Sequence, residues 1–98
     1  MAPRPESNEA ISERLKLLRA VVSGENQTQF AARLGIQPSR WHNLERGFPL
    51  SKEVALMLVR KFPNFTLDWL YLGNTNGLSV RTLRELEDAA GQQHSRRA

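Results

Sequence analysis

The chain has 98 residues, 40% hydrophobic and 24% charged, with 14 basic against 10 acidic side chains and a net charge of +4. That length holds one folding unit with a modest core and leaves no room for a second. It contains no cysteine, which excludes disulfides, thiolate metal sites and cysteine nucleophiles. Its longest uninterrupted apolar run, Val54 to Val59, falls far short of the roughly 18 residues a membrane span needs.

Residues 1–7 read as a flexible, proline-containing arm with no apolar signal-peptide core, so a soluble, cytoplasmic protein is expected. Ser7 or Asn8 caps a first helix, and Glu9 suits its positive end. Ile11, Leu15, Leu18 and Val22 follow at steps of four, three and four, one apolar stripe of an amphipathic helix. Ser23-Gly24-Glu25 ends it. Asn26 caps a second helix from Gln27 to Leu34, with Phe30, Ala31 and Leu34 facing inward, and Gly35 stops it. Pro38 suits the first turn of a third helix, where a missing N–H is no loss, and Gly47 closes that helix.

Ser51 caps a fourth helix carrying Val54, Ala55, Leu58, Val59 and Phe62, which Pro63 terminates. Thr66 caps a short fifth helix, Leu67 to Leu72, with Gly73 just beyond it. After a turn at Asn74 to Leu78, Ser79 to Ala90 has the pattern of a sixth helix on a thin apolar face of Leu83, Leu86 and Ala90. Residues 92–98 read as a disordered basic tail. No stretch alternates as a strand does, and there is no internal repeat. The expected fold is all-α: a compact five-helix bundle over residues 8–73, followed by an extension over 74–98.

Two features single out the third helix. At about 100° per residue, Trp41, Leu44 and Phe48 fall on one side, and Ser39, His42, Asn43 and Arg46 on the other. That outer face offers short hydrogen-bonding groups and one arginine, with no acid. It suits a groove whose floor presents donors and acceptors and whose walls are phosphates; an ordinary solvated face is the plain alternative. The charge is also local. Residues 27–62 carry Arg33, Arg40, Arg46, Lys52, Arg60 and Lys61 against Glu45 and Glu53, which is the whole net charge, and the remainder has eight residues of each sign. A basic segment is the electrostatic footprint of a polyanionic partner, although small basic proteins also carry solvated positive faces.

The spacing of Gln27, Ala31, Gly35, Trp41 and Glu45-Arg46-Gly47 resembles the helix-turn-helix of the XRE/Cro family, which includes the lambdoid phage repressors. Leu67-Asp68-Trp69-Leu70 followed by Gly73 is similar to the last short helix of that domain, so the resemblance spans roughly Ile11 to Asn74. A small residue at Ala31 fits, since a larger one would hold the third helix off the second. The chain departs from the pattern at Trp41, where Ile or Val is usual, at Gln37, where a Ser or Thr cap is common, and at Pro38, which replaces a frequent base reader. Its loop after the first helix is one residue longer.

The resemblance implies a DNA site. Gln27, at a helix N-terminus, would hold a phosphate through its amide and the backbone N–H groups, with Thr28 and Gln29 adding contacts. Gln37, Ser39, Arg40, His42 and Asn43 would lie against base edges or the groove wall. Asn43 is the base reader, since its amide can pair with adenine in bidentate fashion. Arg40 reaches guanine or phosphate, with phosphate favoured, and Arg46 and Lys52 would meet the backbone beyond the groove. Glu45 would pair with Arg19 of the first helix. Trp41 and Trp69 read as core, the latter also as interface. A metal at His42 is not expected, because the one other histidine is His94.

The expected function is a sequence-specific double-stranded DNA-binding transcriptional regulator, a repressor, acting as a homodimer because one helix reads few base pairs. Dimer contacts would come from the fifth helix, the 79–90 segment or the 48–52 loop. The first of these is favoured for the apolar area of Trp69, Leu70 and Tyr71. The alternative is an antitoxin-like protein-interaction module on the same scaffold. With no Cys, no paired His and no glycine-rich phosphate loop, no enzyme activity, cofactor or metal is expected.

Overall fold

The computed structural model describes the backbone of residues 8–97 and the side chains of residues 8–92. The expected arm at 1–7, the Ser7 cap, Ala98 and the side chains of the basic tail lie outside the described residues. Among the described residues the chain forms six helices and no strand: α1 (Asn8–Val22), α2 (Gln27–Leu34), α3 (Pro38–Glu45), α4 (Lys52–Lys61), α5 (Leu67–Leu72) and α6 (Val80–Arg97).

Local chemistry sets the starts of these helices. The Asn26 side chain accepts the Gln29 N–H at 2.8 Å, Ser51 accepts from Val54 at 3.3 Å and Thr66 from Trp69 at 3.0 Å. Each cap satisfies one of the donors that a helix N-terminus leaves unpaired. Pro38 opens α3, and Gln37 supplies no side-chain cap there. Gly35 stops α2: its φ of 74° lets its own N–H and that of Ile36 turn back onto the end of the helix. A side chain would strain that left-handed conformation.

The core is built from one stripe of each helix. Ile11, Leu15 and Leu18 of α1 meet Phe30, Ala31 and Leu34 of α2, Trp41 and Leu44 of α3, and Val54, Ala55 and Leu58 of α4. Leu15, Leu18, Leu58 and Trp41 are completely covered. Burying each such aliphatic side chain contributes about 1.5–3 kcal/mol relative to leaving it in water. Phe30 sits edge-on to Trp41 at 5.1 Å between ring centres and stacks on Phe62 at 6.0 Å. Ala31 of α2 is also fully covered within the same core.

Three expectations need correction. The chain does not become disordered after Gly91: α6 continues as helix to Arg97. Its apolar face is thin but well placed, since Leu86 and Ala89 are buried, as is Thr82, and Leu78 joins the same core from the preceding turn. Ser79 starts the helix by accepting the Thr82 N–H, and α6 lies along α1. Helix α5 uses part of its apolar area within the chain: Tyr71 is half-buried and Leu72 is 43% exposed. Trp69 and Leu70 are buried within the chain's own core, Trp69 against Phe65 at 5.1 Å, and Arg14 of α1 donates to the Leu70 carbonyl. Trp69 and Leu70 therefore drop out of the apolar area that favoured α5 as a dimer face, which leaves Tyr71 and Leu72 there. Finally, Phe48 does not join Trp41 and Leu44. The helix ends at Glu45 with Arg46 as its C-cap, and Phe48 stands 54% exposed.

Candidate nucleic-acid interface

The geometry of α3 starts from a carboxylate at its end. Glu45 is 2% exposed and accepts four hydrogen bonds. Arg19 of α1 supplies two of them, Nε at 2.7 Å and Nη2 at 2.9 Å, in the side-on fork that suits a carboxylate. Gln27 Nε2 donates at 2.9 Å from α2. Trp41 Nε1 donates from one turn earlier on α3 itself. Burial alone would push the Glu45 carboxyl up; hydrogen bonds from Arg19 and Gln27, the Arg19 charge and the Trp41 bond more than reverse this and hold it below the usual glutamate value. The Arg19–Glu45 pair expected from the sequence is therefore present. It also serves as a hub that pins α3 to both α1 and α2.

Because α3 is held along this side, its opposite side is set. Ser39 and His42 are exposed, as are Gln37, Arg40 and Arg46. Asn43 is half-buried and forms no side-chain hydrogen bond among the described residues, while its backbone carbonyl accepts from Arg46 and Phe48. Arg40 Nη2 reaches Ser51 Oγ at 3.3 Å, which brings Arg40 beside Lys52 at the start of α4. Thr28 and Gln29 are exposed in the first turn of α2. The Gln29 N–H already serves the Asn26 cap, and Phe30 bonds the Asn26 carbonyl.

Gln27 departs from expectation. Its amide does not project freely from the helix end. Nε2 is bound to Glu45, and Oε1 lies 2.6 Å from His42 Nδ1. The residue expected to grip a phosphate is thus also a bridge between the buried carboxylate and the outer face of α3. Nothing in the periodicity of either helix indicates this contact, because its partners are 15 and 18 residues away. The Trp41–Glu45 bond had a signal: residues four apart share a helix face.

The basic segment separates into two groups in space. Arg40, Arg46 and Lys52 surround the connection from α3 to α4. Arg60 and Lys61 stand at the far end of α4, eight and nine residues from Lys52, or about 12–14 Å at 1.5 Å per residue. There Lys61 borders a pocket with Arg33 and Phe62, and Arg33 pairs with Glu25 at 2.8 Å. Glu45, the one acid within α3, turns inward and is spent on Arg19. The outer face of α3 is left with its three neighbouring cations and no acid of its own.

Neither a family model, nor a curated protein, nor a solved structure matches the chain. Among the described residues no helix is long and apolar enough to cross a membrane.

Proposed function

We propose that this chain is a sequence-specific double-stranded DNA-binding regulator, a repressor of the XRE/Cro helix-turn-helix kind, with α2 and α3 as the helix-turn-helix. The observation that carries the reading is the division of labour on α3. One side is bolted to α1 and α2 through Glu45, Trp41 and Leu44. The other presents Ser39, His42 and Asn43, flanked by Arg40, Arg46 and Lys52. A rigid helix with short polar groups along its crest and cations on its shoulders fits the major groove, where base edges form the floor and phosphates the walls. The exposed first turn of α2, with Thr28, Gln29 and the helix dipole, would lie against a phosphate.

One α3 reads few base pairs, so the protein acts as a homodimer on half-sites whose centres lie about 34–36 Å apart. Phe48, Leu72 and Val80 are the large apolar side chains exposed among the described residues, and Phe48, just beyond α3, is the one a second copy would cover in this arrangement. Contact there would set the two α3 helices side by side. A chain that stays monomeric at micromolar concentration on its own DNA site would argue against this arrangement.

The decisive experiment compares Asn43→Ala and Arg46→Ala on selected and scrambled duplexes at several salt concentrations. Asn43 is short and uncharged and repays its desolvation only when a base returns a matching donor and acceptor, so its loss costs about 1–3 kcal/mol on the selected site and little on scrambled DNA. Arg46→Ala weakens both and lowers the salt slope by about one unit per chain. Equal weakening of both duplexes by Asn43→Ala would refute base reading by that residue.

A further inference from the structure

The contact between Gln27 and His42 carries information that neither residue carries alone. Glu45 is a buried carboxylate, an acceptor with no proton to give. The Gln27 atom 2.9 Å from Glu45 Oε1 must therefore be the amide nitrogen, since a carbonyl oxygen there would set two acceptors against each other. This fixes the amide the other way round at its outer end, where Oε1 lies 2.6 Å from His42 Nδ1. A carbonyl only accepts, so Nδ1 must carry the hydrogen. In a neutral imidazole one nitrogen holds the proton and the other holds a lone pair. The lone pair is thus on Nε2.

From this we infer that Gln27, oriented by Glu45, is a positioning residue that locks His42 in its Nδ1–H form and presents Nε2 to the exocyclic amine of a base, cytosine N4 or adenine N6. The inference rests on the DNA-binding reading proposed above. Arg40 and Arg46 only donate and so meet acceptors, and Ser39 and Asn43 both donate and accept; the His42 ring in this form is the group on the face that meets a base with an acceptor alone. On the floor of the major groove, cytosine and adenine offer amine donors, whereas guanine and thymine meet the same position with acceptors. An acceptor facing an acceptor leaves both unpaired and is penalised. His42 is exposed, and its ring forms no other hydrogen bond among the described residues.

The test has two readouts. The first is a long-range proton–nitrogen correlation spectrum of ¹⁵N-histidine-labelled protein without DNA. It is taken near pH 8.5, well above the ordinary histidine range of about 6.5, with His94→Gln leaving a single ring. The expected spectrum shows a protonated Nδ1 and a bare Nε2, and Gln27→Leu shifts the ring to Nε2–H, the form free imidazole side chains favour in water. An Nε2–H ring in the folded parent protein overturns the relay, and that spectrum decides the point even if the Gln27 variant does not fold. The second readout is affinity for four duplexes differing only at the base pair facing His42. An amine-bearing base is preferred by about tenfold, roughly the worth of one well-made hydrogen bond. Both Gln27→Leu and His42→Ala flatten that preference and retain those at neighbouring positions. An Nδ1–H ring with equal affinity for all four duplexes overturns the base contact. If the parent protein bound no duplex at all, the proposed function and the base contact would both fall, and the spectrum would still decide the tautomer.

Discussion

Replacing Arg19 by Met tests whether the Glu45 hub organises the fold. Methionine keeps an unbranched stem at this position of α1 and removes the guanidinium. Glu45 then loses two of its four hydrogen bonds and its neutralising charge, retaining only Gln27 and Trp41. Removing one partner of a buried ion pair costs about 3–5 kcal/mol. The Arg19 side chain is 21% exposed, so water can partly replace it and the cost falls near the lower end, about 3 kcal/mol. For a domain of this size that corresponds to a fall in Tm of about 12–24 °C. The sign of the pH dependence is a second check. In the parent protein the Glu45 carboxyl is held below its unfolded value. Its stabilisation is therefore fully present above the ordinary glutamate range near 4.3 and is lost as pH falls through the lowered folded value. In Arg19→Met burial is no longer offset by the guanidinium, the folded carboxyl rises, and acid favours the folded state of the variant. The stability gap should narrow between pH 7 and pH 4. Urea denaturation of both proteins at the two pH values measures it, and carboxylates common to both cancel in the difference. A loss under about 1 kcal/mol at pH 7, or a gap unchanged by acid, would refute the hub.

Three further expectations concern packing and backbone. Ala31→Leu forces extra atoms into the core at a fully covered position and should destabilise by about 1–3 kcal/mol; an unchanged melting temperature would contradict tight packing around this face of α2. Leu86→Ala should cost about 2–5 kcal/mol if α6 belongs to the same cooperative unit as α1. A denaturation curve superimposable on the parent's would show that α6 contributes no packing. Gly73→Ala should lose about 1–2 kcal/mol, because φ is 73° there and a left-handed backbone disfavours a Cβ. The added methyl would also meet the Arg14 guanidinium, so an unaffected thermal melt would argue against the αL ending of α5.

What the sequence determined by itself is what depends on neighbours three or four residues apart. Asn26, Ser51 and Thr66 cap their helices where they were expected, and Gly35 and Gly73 end theirs, because a cap or a left-handed stop is a contact within one turn. The inward stripes of α1 to α4 were legible for the same reason. So was the pairing of Arg19 with Glu45, though there through family likeness, not periodicity. Tertiary structure alone decided the rest. Phe48 has the right angle for the core on a continued helix, but the helix stops before it and the residue swings out. The apolar face of α6 is too thin to specify a helix unaided; α1 lies beside it and completes its burial. Trp69 and Leu70 look like surplus area until Phe65 and the core close over them. Gln27 looked like a free phosphate ligand because its partners, Glu45 and His42, are distant in the chain. Such contacts depend on how whole helices are laid against one another, and the summed packing that sets those positions leaves no periodic trace at any one residue.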